Sequence, residues 1–239
     1  MNGETKTLLA LDTATSGCSV CVWRTNQGEG QVLAQESLAM ARGQAQELMV
    51  MVDRVLVQAG VEPADLSAVA VTRGPGAFTG LRIALATAKG FALAVGVPCV
   101  GVTTLEAIAA AVPSEELAGT FVLTCVESKR EDLYVQLFDS ALTPLCEPVA
   151  ADGAALAALL TKDATFVGVG DGAVRAQEML AAQGIDLRLS PAPGLPDTRI
   201  VAEIAAGRCD IEADAPPPEP LYLRPPDAKL PKNAGRARA

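Results

Sequence analysis

The order of predicted strands and helices repeats once along the chain, and this repeat constrains the fold more than any other feature. Residues 6–112 show three strand-like runs, then a helix, a strand, a helix, a strand and a final helix. Residues 120–209 show the same order, and a proline-rich segment follows. The repeat predicts an α/β fold of two duplicated βββαβαβα domains. We place them at residues 1–112 and 113–209, with an extended Pro-rich tail at 210–239.

The chain contains no histidine, which excludes several kinds of catalytic and metal site. Histidine is the commonest general base and metal ligand, so Ser-His-Asp, Cys-His and histidine-ligated metal sites are ruled out, and a protease of these classes is disfavoured. The six cysteines are scattered. The closest pair, Cys18 and Cys21, stands at an odd offset on a predicted strand, so the two thiols point to opposite faces. We expect reduced thiols in a cytoplasmic protein.

Net charge and hydropathy limit the partners of the chain. The net charge is −9, but residues 224–239 carry five basic side chains and one acidic one, which leaves −13 on the rest. Because phosphate neutralisation supplies most nucleic-acid affinity, we expect contact with RNA only through a partner. The sequence shows neither a run of about 20 apolar residues nor a signal-peptide pattern, and we expect no membrane association.

A glycine-rich stretch, GPGAFTG at residues 74–80, joins a predicted strand to a predicted helix. It lacks the Lys-Ser/Thr of a P-loop, and its glycine spacing and position differ from a dinucleotide fingerprint. It is interpreted either as a tight turn, with Thr79 capping the helix, or as a remnant of a nucleotide-binding loop. An Asp/Thr hairpin after the first strand is the second part of that possible remnant. The candidate residues are Asp12, Thr13, Thr15, Gly74 and Gly76.

The corresponding hairpin of the second half, ESKRED at residues 127–132, is crowded with charge. Two such hairpins facing each other across a cleft would form a nucleotide clamp. Neither contains the glycine that lets a phosphate approach the backbone closely, and we interpret the second hairpin as solvated surface.

Two helices of the first domain carry apolar residues outside their core-facing arcs. On the helix at residues 44–59 these lie among charged and amide side chains, and on the helix at residues 79–95 they flank two basic residues. Neighbouring helices with apolar outer faces predict a protein interface, although loops or the tail would also cover them. The predicted interface residues are Val50, Met51, Val57, Arg82, Leu85, Lys89 and Leu93.

Three segments carry a resemblance to a known family. LLALDTATSGCSVCV, AVAVTRGPGAFTGLRIALATAKGFA and LYLRPPDA closely resemble the bacterial TsaB (YeaZ) family. The resemblance is strong over residues 7–110, looser across the second half, and resumes at residues 220–228. It implies an actin-like ATPase (ASKHA) fold of two RNase H-like domains, in agreement with the repeated element order.

The resemblance also implies a function. Family members act in forming the threonylcarbamoyl-adenosine next to the tRNA anticodon, as non-catalytic paralogues of the transferase subunit TsaD, which they bind through first-domain helices. The metal-binding histidines of TsaD-type proteins would correspond here to Thr104 and Ile108, so no metal and no catalytic residue are expected. The implied partners are a TsaD-type subunit with an accessory ATPase, a second copy of the chain when TsaD is absent, and tRNA only through the complex. No cofactor is expected, although a nucleotide at the interface shared with the partner is compatible with the resemblance.

One alternative from another class stays open. An ATP-dependent kinase or ATPase of the same superfold would use Asp12 to hold Mg²⁺, since phosphoryl transfer on carboxylates and metal needs no histidine.

Overall fold

The computed structural model describes residues 5–26, 29–40, 42–161, 164–211, 213 and 215–224, which form two mixed five-stranded sheets. The first sheet has the order β3-β2-β1-β4-β5 and the second the order β10-β9-β6-β7-β8. The first sheet contains β1 (Lys6–Asp12), β2 (Gly17–Asn26), β3 (Glu29–Ala39), β4 (Ala68–Thr72) and β5 (Cys99–Val102). The second contains β6 (Phe121–Glu127), β7 (Leu133–Phe138), β8 (Val149–Ala151), β9 (Phe166–Val169) and β10 (Arg188–Leu189).

Both halves share one topology, which confirms the predicted repeat. In each half the first three strands pair antiparallel and the last two continue parallel to the first strand. The helices connect these strands in the predicted order, with one short additional helix after Pro113. They are α1 (Gln44–Ala59), α2 (Phe78–Val95), α3 (Thr104–Ala109), α4 (Ser114–Leu117), α5 (Gly153–Ala158), α6 (Ala173–Ala181) and α7 (Thr198–Ala206).

Strand alternation places a separate core on each face of the first sheet. Leu9 and Leu11 of β1 face α1 and α2, whereas Leu8 and Ala10 face α7. Along β2, Cys18 lies in the first of these cores and the Cys21 thiol in the second, as the odd spacing predicts. All six cysteines are free thiols in this structure.

The last helix of each half covers the sheet of the other half. Helix α7 packs against β1 and β2, and its Val201 and Ala205 are buried with Leu8. Helix α3 packs against β6, and its Ile108 is buried with Val122. The predicted boundary at residue 113 therefore separates the two sheets along the sequence, whereas the helical layers draw on both halves.

Helix α2 is long and apolar enough to cross a membrane by length and composition alone. In this fold its inner face packs on β4, with Leu81, Ala84 and Ala88 buried. This is the position of a core helix in an α/β protein.

Residues 215–224 of the tail run along α2 in the opposite direction and form neither helix nor strand. Glu219 pairs with Lys89 at 2.9 Å, and Tyr222 stacks on Phe78 with the ring centroids 5.1 Å apart. Past the first residue of α2, the tail reaches the second half of the chain, where Arg224 forms an ion pair with Asp132. The tail thus contacts both halves. Residues 225–239, also predicted as tail, lie outside the described residues.

Candidate functional site

The glycine-rich loop at residues 74–80 packs directly on the hairpin between β1 and β2. The Ala77 amide donates a 2.7 Å hydrogen bond to the carbonyl oxygen of Ala14, and the Thr13 hydroxyl donates one of 2.6 Å to the carbonyl oxygen of Gly80. A Cβ atom on Gly76 would lie 2.2 Å from the Ala14 oxygen, and one on Gly80 would lie 1.9 Å from the Thr13 oxygen. These glycines therefore allow two backbone segments of the protein to touch.

This contact argues against the interpretation of the glycine-rich loop as a nucleotide-binding loop. A phosphate cradle presents backbone N–H groups to the anion. Next to Gly76 and Gly80, the space that a phosphate would need is occupied by backbone carbonyl oxygens. These oxygens carry partial negative charge and repel phosphate. The residues present at these positions do not fit a phosphate group. The capping prediction for Thr79 is wrong, because α2 begins at Phe78 with Ala77 as its N-cap and without a side-chain cap.

Asp12 ends β1 as a buried carboxyl group, 2% exposed. Its Oδ1 accepts hydrogen bonds from the Thr72 hydroxyl at 2.5 Å and from the Ala14 amide at 3.0 Å. Burial raises the pKa of Asp12 to about 6, against the lowering effect of these two hydrogen bonds. The side chain thus fastens the end of β1 to the end of β4. Across the described ranges no group of three or more His, Cys, Asp or Glu side chains is placed to hold a metal.

Two other threonines singled out from the sequence, Thr13 and Thr15, have buried hydroxyl groups. Thr13 is fully buried in the contact described above, and the Thr15 hydroxyl has no hydrogen-bond partner among the described residues. Thr104 and Ile108, the positions aligned with metal-binding histidines, lie fully buried in α3.

The second half contains an equivalent glycine loop that the sequence reasoning missed. Gly170 follows β9 with a φ of 112°, and a Cβ atom there would lie 2.0 Å from the carbonyl oxygen of Cys125. Next to it, Asp171 accepts a 2.9 Å hydrogen bond from the Glu127 amide through Oδ1. The signal was present in VGVGDGAV, which places glycines between a predicted strand and a predicted helix, as the first loop does. In both halves, glycine thus lets the loop after the fourth strand pack closely on backbone of the first strand or of the turn that follows it.

The hairpin at residues 127–132 is less solvated than predicted. Asp132 is buried and pairs with Arg224, and Glu127 pairs with Arg175 at 3.0 Å. The Ser128 hydroxyl donates to the Asp132 backbone oxygen at 2.6 Å, which closes the turn. Only the three residues at its tip, 129–131, are exposed.

The predicted outer faces of α1 and α2 are apolar and exposed at three of the five apolar positions. Val57 is 81% exposed and Val50 46% on α1, and Leu93 is 84% exposed on α2. The placement of Met51 and Leu85 on these faces is wrong, because both side chains are buried in the first core. Each simply extends the inner row of its helix, since Met51 lies one turn before Val55 and Leu85 one turn after Leu81.

The two basic residues of the predicted interface contact the tail. Arg82 donates a 2.9 Å hydrogen bond to the Tyr222 hydroxyl and lies 3.8 Å over the Phe78 ring, and Lys89 pairs with Glu219. The alternative left open from the sequence was that loops or the tail cover the apolar residues of these faces, whereas Val57 and Leu93 are exposed in the described part of the chain. The predicted apolar residues that are exposed, called here the α1–α2 surface, are Val50, Val57 and Leu93.

Comparisons with known proteins add to this geometry. A family model described as TsaD: tRNA N6-adenosine threonylcarbamoyltransferase matches residues 32–191, which is more than half of the 239-residue chain. The Escherichia coli tRNA threonylcarbamoyladenosine biosynthesis protein TsaB is 37% identical over 127 residues, which is 53% of this chain and 52% of that protein. The chain thus spans about half the length of that curated relative. An uncharacterized protein of Mycobacterium tuberculosis is 33% identical over 95% of both chains.

Two solved structures have the same fold. YeaZ from Pseudomonas aeruginosa matches with a TM-score of 0.71 and 25% identity, over 91% of this chain and 100% of that one. An uncharacterized protein with similarity to peptidase YeaZ from Pseudomonas aeruginosa matches with a TM-score of 0.75 and 26% identity, over 92% and 100%. The fold is therefore the actin-like (ASKHA) fold that the sequence resemblance implies, and it agrees with the repeated element order. The chain belongs to the TsaB (YeaZ) family.

Proposed function

We propose that the chain is a non-catalytic partner subunit of the assembly that transfers a threonylcarbamoyl group to the adenosine next to the tRNA anticodon. In this proposal it binds a TsaD-type subunit in the cytoplasm through the α1–α2 surface. The names of its relatives support the pathway. The exposure of Val57 and Leu93 on two packed helices is the observation that carries the binding site.

The α1–α2 surface has the chemistry of a helix-docking site. Burying a side chain of this size contributes about 1.5–3 kcal/mol, so its three apolar residues supply substantial association energy. The exposed side of α2 also carries Ala86, Gly90 and Ala94, and a Cβ atom on Gly90 would meet nothing within 4 Å. Small residues there let a partner helix approach closely. The same features suit a second copy of the chain, which we propose as the partner when TsaD is absent.

The residue types of the chain and the packing of its glycine loop support the non-catalytic role. It has no histidine, and the glycine loop is packed against backbone oxygens of the first hairpin. The net charge of −9 disfavours independent binding of tRNA, so we propose that tRNA is contacted only through the complex. An accessory ATPase and a nucleotide at the interface with the TsaD-type subunit are further parts of this proposal.

Co-purification tests the binding site. The double variant V57E/L93E places two charges on the α1–α2 surface and should lose co-purification with the TsaD-type protein of the same organism. Val174→Glu is the matched control, because Val174 is an exposed valine, 58% accessible, on α6 of the second half. It should retain binding, and circular dichroism should show both variants folded. Undiminished binding by the double variant would refute this site.

A further inference from the structure

Two adjoining cavities lie between the tail and the ends of the strands. One, of about 340 Å³, is formed by both halves and the tail, with Arg73, Gln136, Phe138, Cys146, Glu147 and Leu221 among its lining residues. The other, of about 270 Å³, includes Gly101, Arg208, Pro216 and Pro218. Arg73, Thr103 and Glu106 line both cavities, so these residues stand where the two spaces meet.

The backbone of Arg73 is fixed on both sides. Its amide donates a 2.8 Å hydrogen bond to the Val102 carbonyl oxygen, and its carbonyl oxygen accepts one of 2.7 Å from the Leu221 amide. The side chain passes over Gly101, where a Cβ atom would lie 2.9 Å from the Arg73 Cδ. Because Gly101 has no side chain, there is room for the Arg73 side chain to extend over it and for the guanidinium group to reach the cavities.

Among the described residues, the charged side chains around Arg73 pair with other groups and not with its guanidinium group. Glu106 accepts hydrogen bonds from Arg208 at 3.0 and 3.1 Å and from the Thr103 amide at 2.6 Å, so its carboxylate is already paired. Glu147 lines the larger cavity as an exposed side chain and forms no ion pair with Arg73. Within the described part of the chain, no hydrogen bond or ion pair involves the Arg73 guanidinium. Its five N–H donors are available to a ligand.

We propose that Arg73 binds the carboxylate or phosphate group of a small molecule in the larger cavity. The planar guanidinium group matches both oxyanions with two parallel hydrogen bonds. Phe138 and Leu221 supply apolar wall for the rest of the molecule, and the volume lies within the range of about 300–1,000 Å³ that small-molecule sites occupy. Because both halves and the tail line the cavity, the ligand also holds these three parts together. This proposal does not rest on the α1–α2 surface.

Titration with simple oxyanions tests the proposal. Sodium phosphate and sodium succinate, added to the full chain at constant ionic strength, should raise the Tm and shift the amide resonances of Gln136 and Cys146. The two probes separate phosphate from carboxylate recognition. Arg73→Met keeps the stem that covers Gly101 and removes the charge, so it should fold as the wild type does and bind at least about tenfold more weakly.

Two further variants sharpen the result. Arg73→Lys keeps the positive charge but loses the planar guanidinium group with its paired N–H donors, so it should bind the oxyanions with intermediate affinity. Glu147→Gln removes a carboxylate from the cavity and should tighten binding by roughly two- to fivefold. The proposal is overturned if neither probe shifts the wild-type chain, or if Arg73→Met and Glu147→Gln bind as the wild type does.

Discussion

The Thr72 hydroxyl lies 2.5 Å from the Oδ1 atom of Asp12 and joins the ends of β4 and β1 through a buried carboxyl group. Asp12 is the residue that would hold Mg²⁺ in the ATP-dependent alternative considered from the sequence. Here burial raises the pKa of Asp12 to about 6, so the folded protein binds a proton more tightly than the unfolded chain does. The unfavourable contribution of the ionised group to stability is absent below about pH 4 and grows as the pH rises through 6.

Replacing Asp12 by Asn should stabilise the fold at neutral pH. Asparagine keeps an oxygen that accepts the Thr72 hydrogen bond and removes the buried charge. We expect the free energy of unfolding to rise by about 1–3 kcal/mol at pH 7. The difference from wild type should shrink to near zero at pH 4, where the wild-type carboxyl is also neutral. Urea unfolding from pH 4 to pH 7 measures the difference in free energy of unfolding between the variant and the wild type. A difference that is independent of pH would contradict the raised pKa of Asp12.

The loop glycines give a second prediction. In Gly76→Ala the new methyl group meets the Ala14 carbonyl oxygen, which belongs to the backbone and cannot rotate away. We expect a loss of about 2–3 kcal/mol of stability. Gly90→Ala is the matched control, because the site is exposed, helical and open, and it should gain about 0.5–1 kcal/mol. Equal effects of the two substitutions in thermal unfolding would show that the contact with the hairpin is unimportant.

The tail supplies a third prediction, with a local readout. The Leu221 amide, bonded to the Arg73 carbonyl oxygen, reports by hydrogen exchange whether the tail is seated. Tyr222→Ala removes the ring that stacks on Phe78 and should speed this exchange by about tenfold. Tyr222→Phe keeps the stacking, loses only the hydrogen bond from Arg82, and should have a smaller effect. Unchanged exchange in Tyr222→Ala would mean that the stacking does not hold the tail.

The sequence predicts some of these features well and others not at all, for a physical reason. Strand and helix periodicity is local, so the repeated element order and the opposite faces of Cys18 and Cys21 follow from it. The rotation of a helix about its axis depends on packing with distant strands, which is why Met51 is buried and was not predicted to be. The partners of Arg82 and Lys89 lie 140 and 130 positions away along the chain, and no local pattern identifies them. The exchange of α3 and α7 between the sheets is likewise a long-range property.

Calorimetry with ATP decides between the partner-subunit proposal and the ATP-dependent alternative. The isolated chain should show no saturable heat with ATP and Mg²⁺, because backbone oxygens of Thr13 and Ala14 fill the close-approach positions of the glycine loop. An ATP-dependent kinase or ATPase would bind tightly, and its turnover would be lost in Asp12→Ala. If a nucleotide lies at the interface with a TsaD-type subunit, saturable heat of ATP binding should appear only after that subunit is added. The double variant V57E/L93E should abolish this heat, because it also abolishes formation of the complex. Tight binding of ATP by the isolated chain would instead mean that the first hairpin moves away from the loop, since the two cannot enclose a phosphate in the observed arrangement.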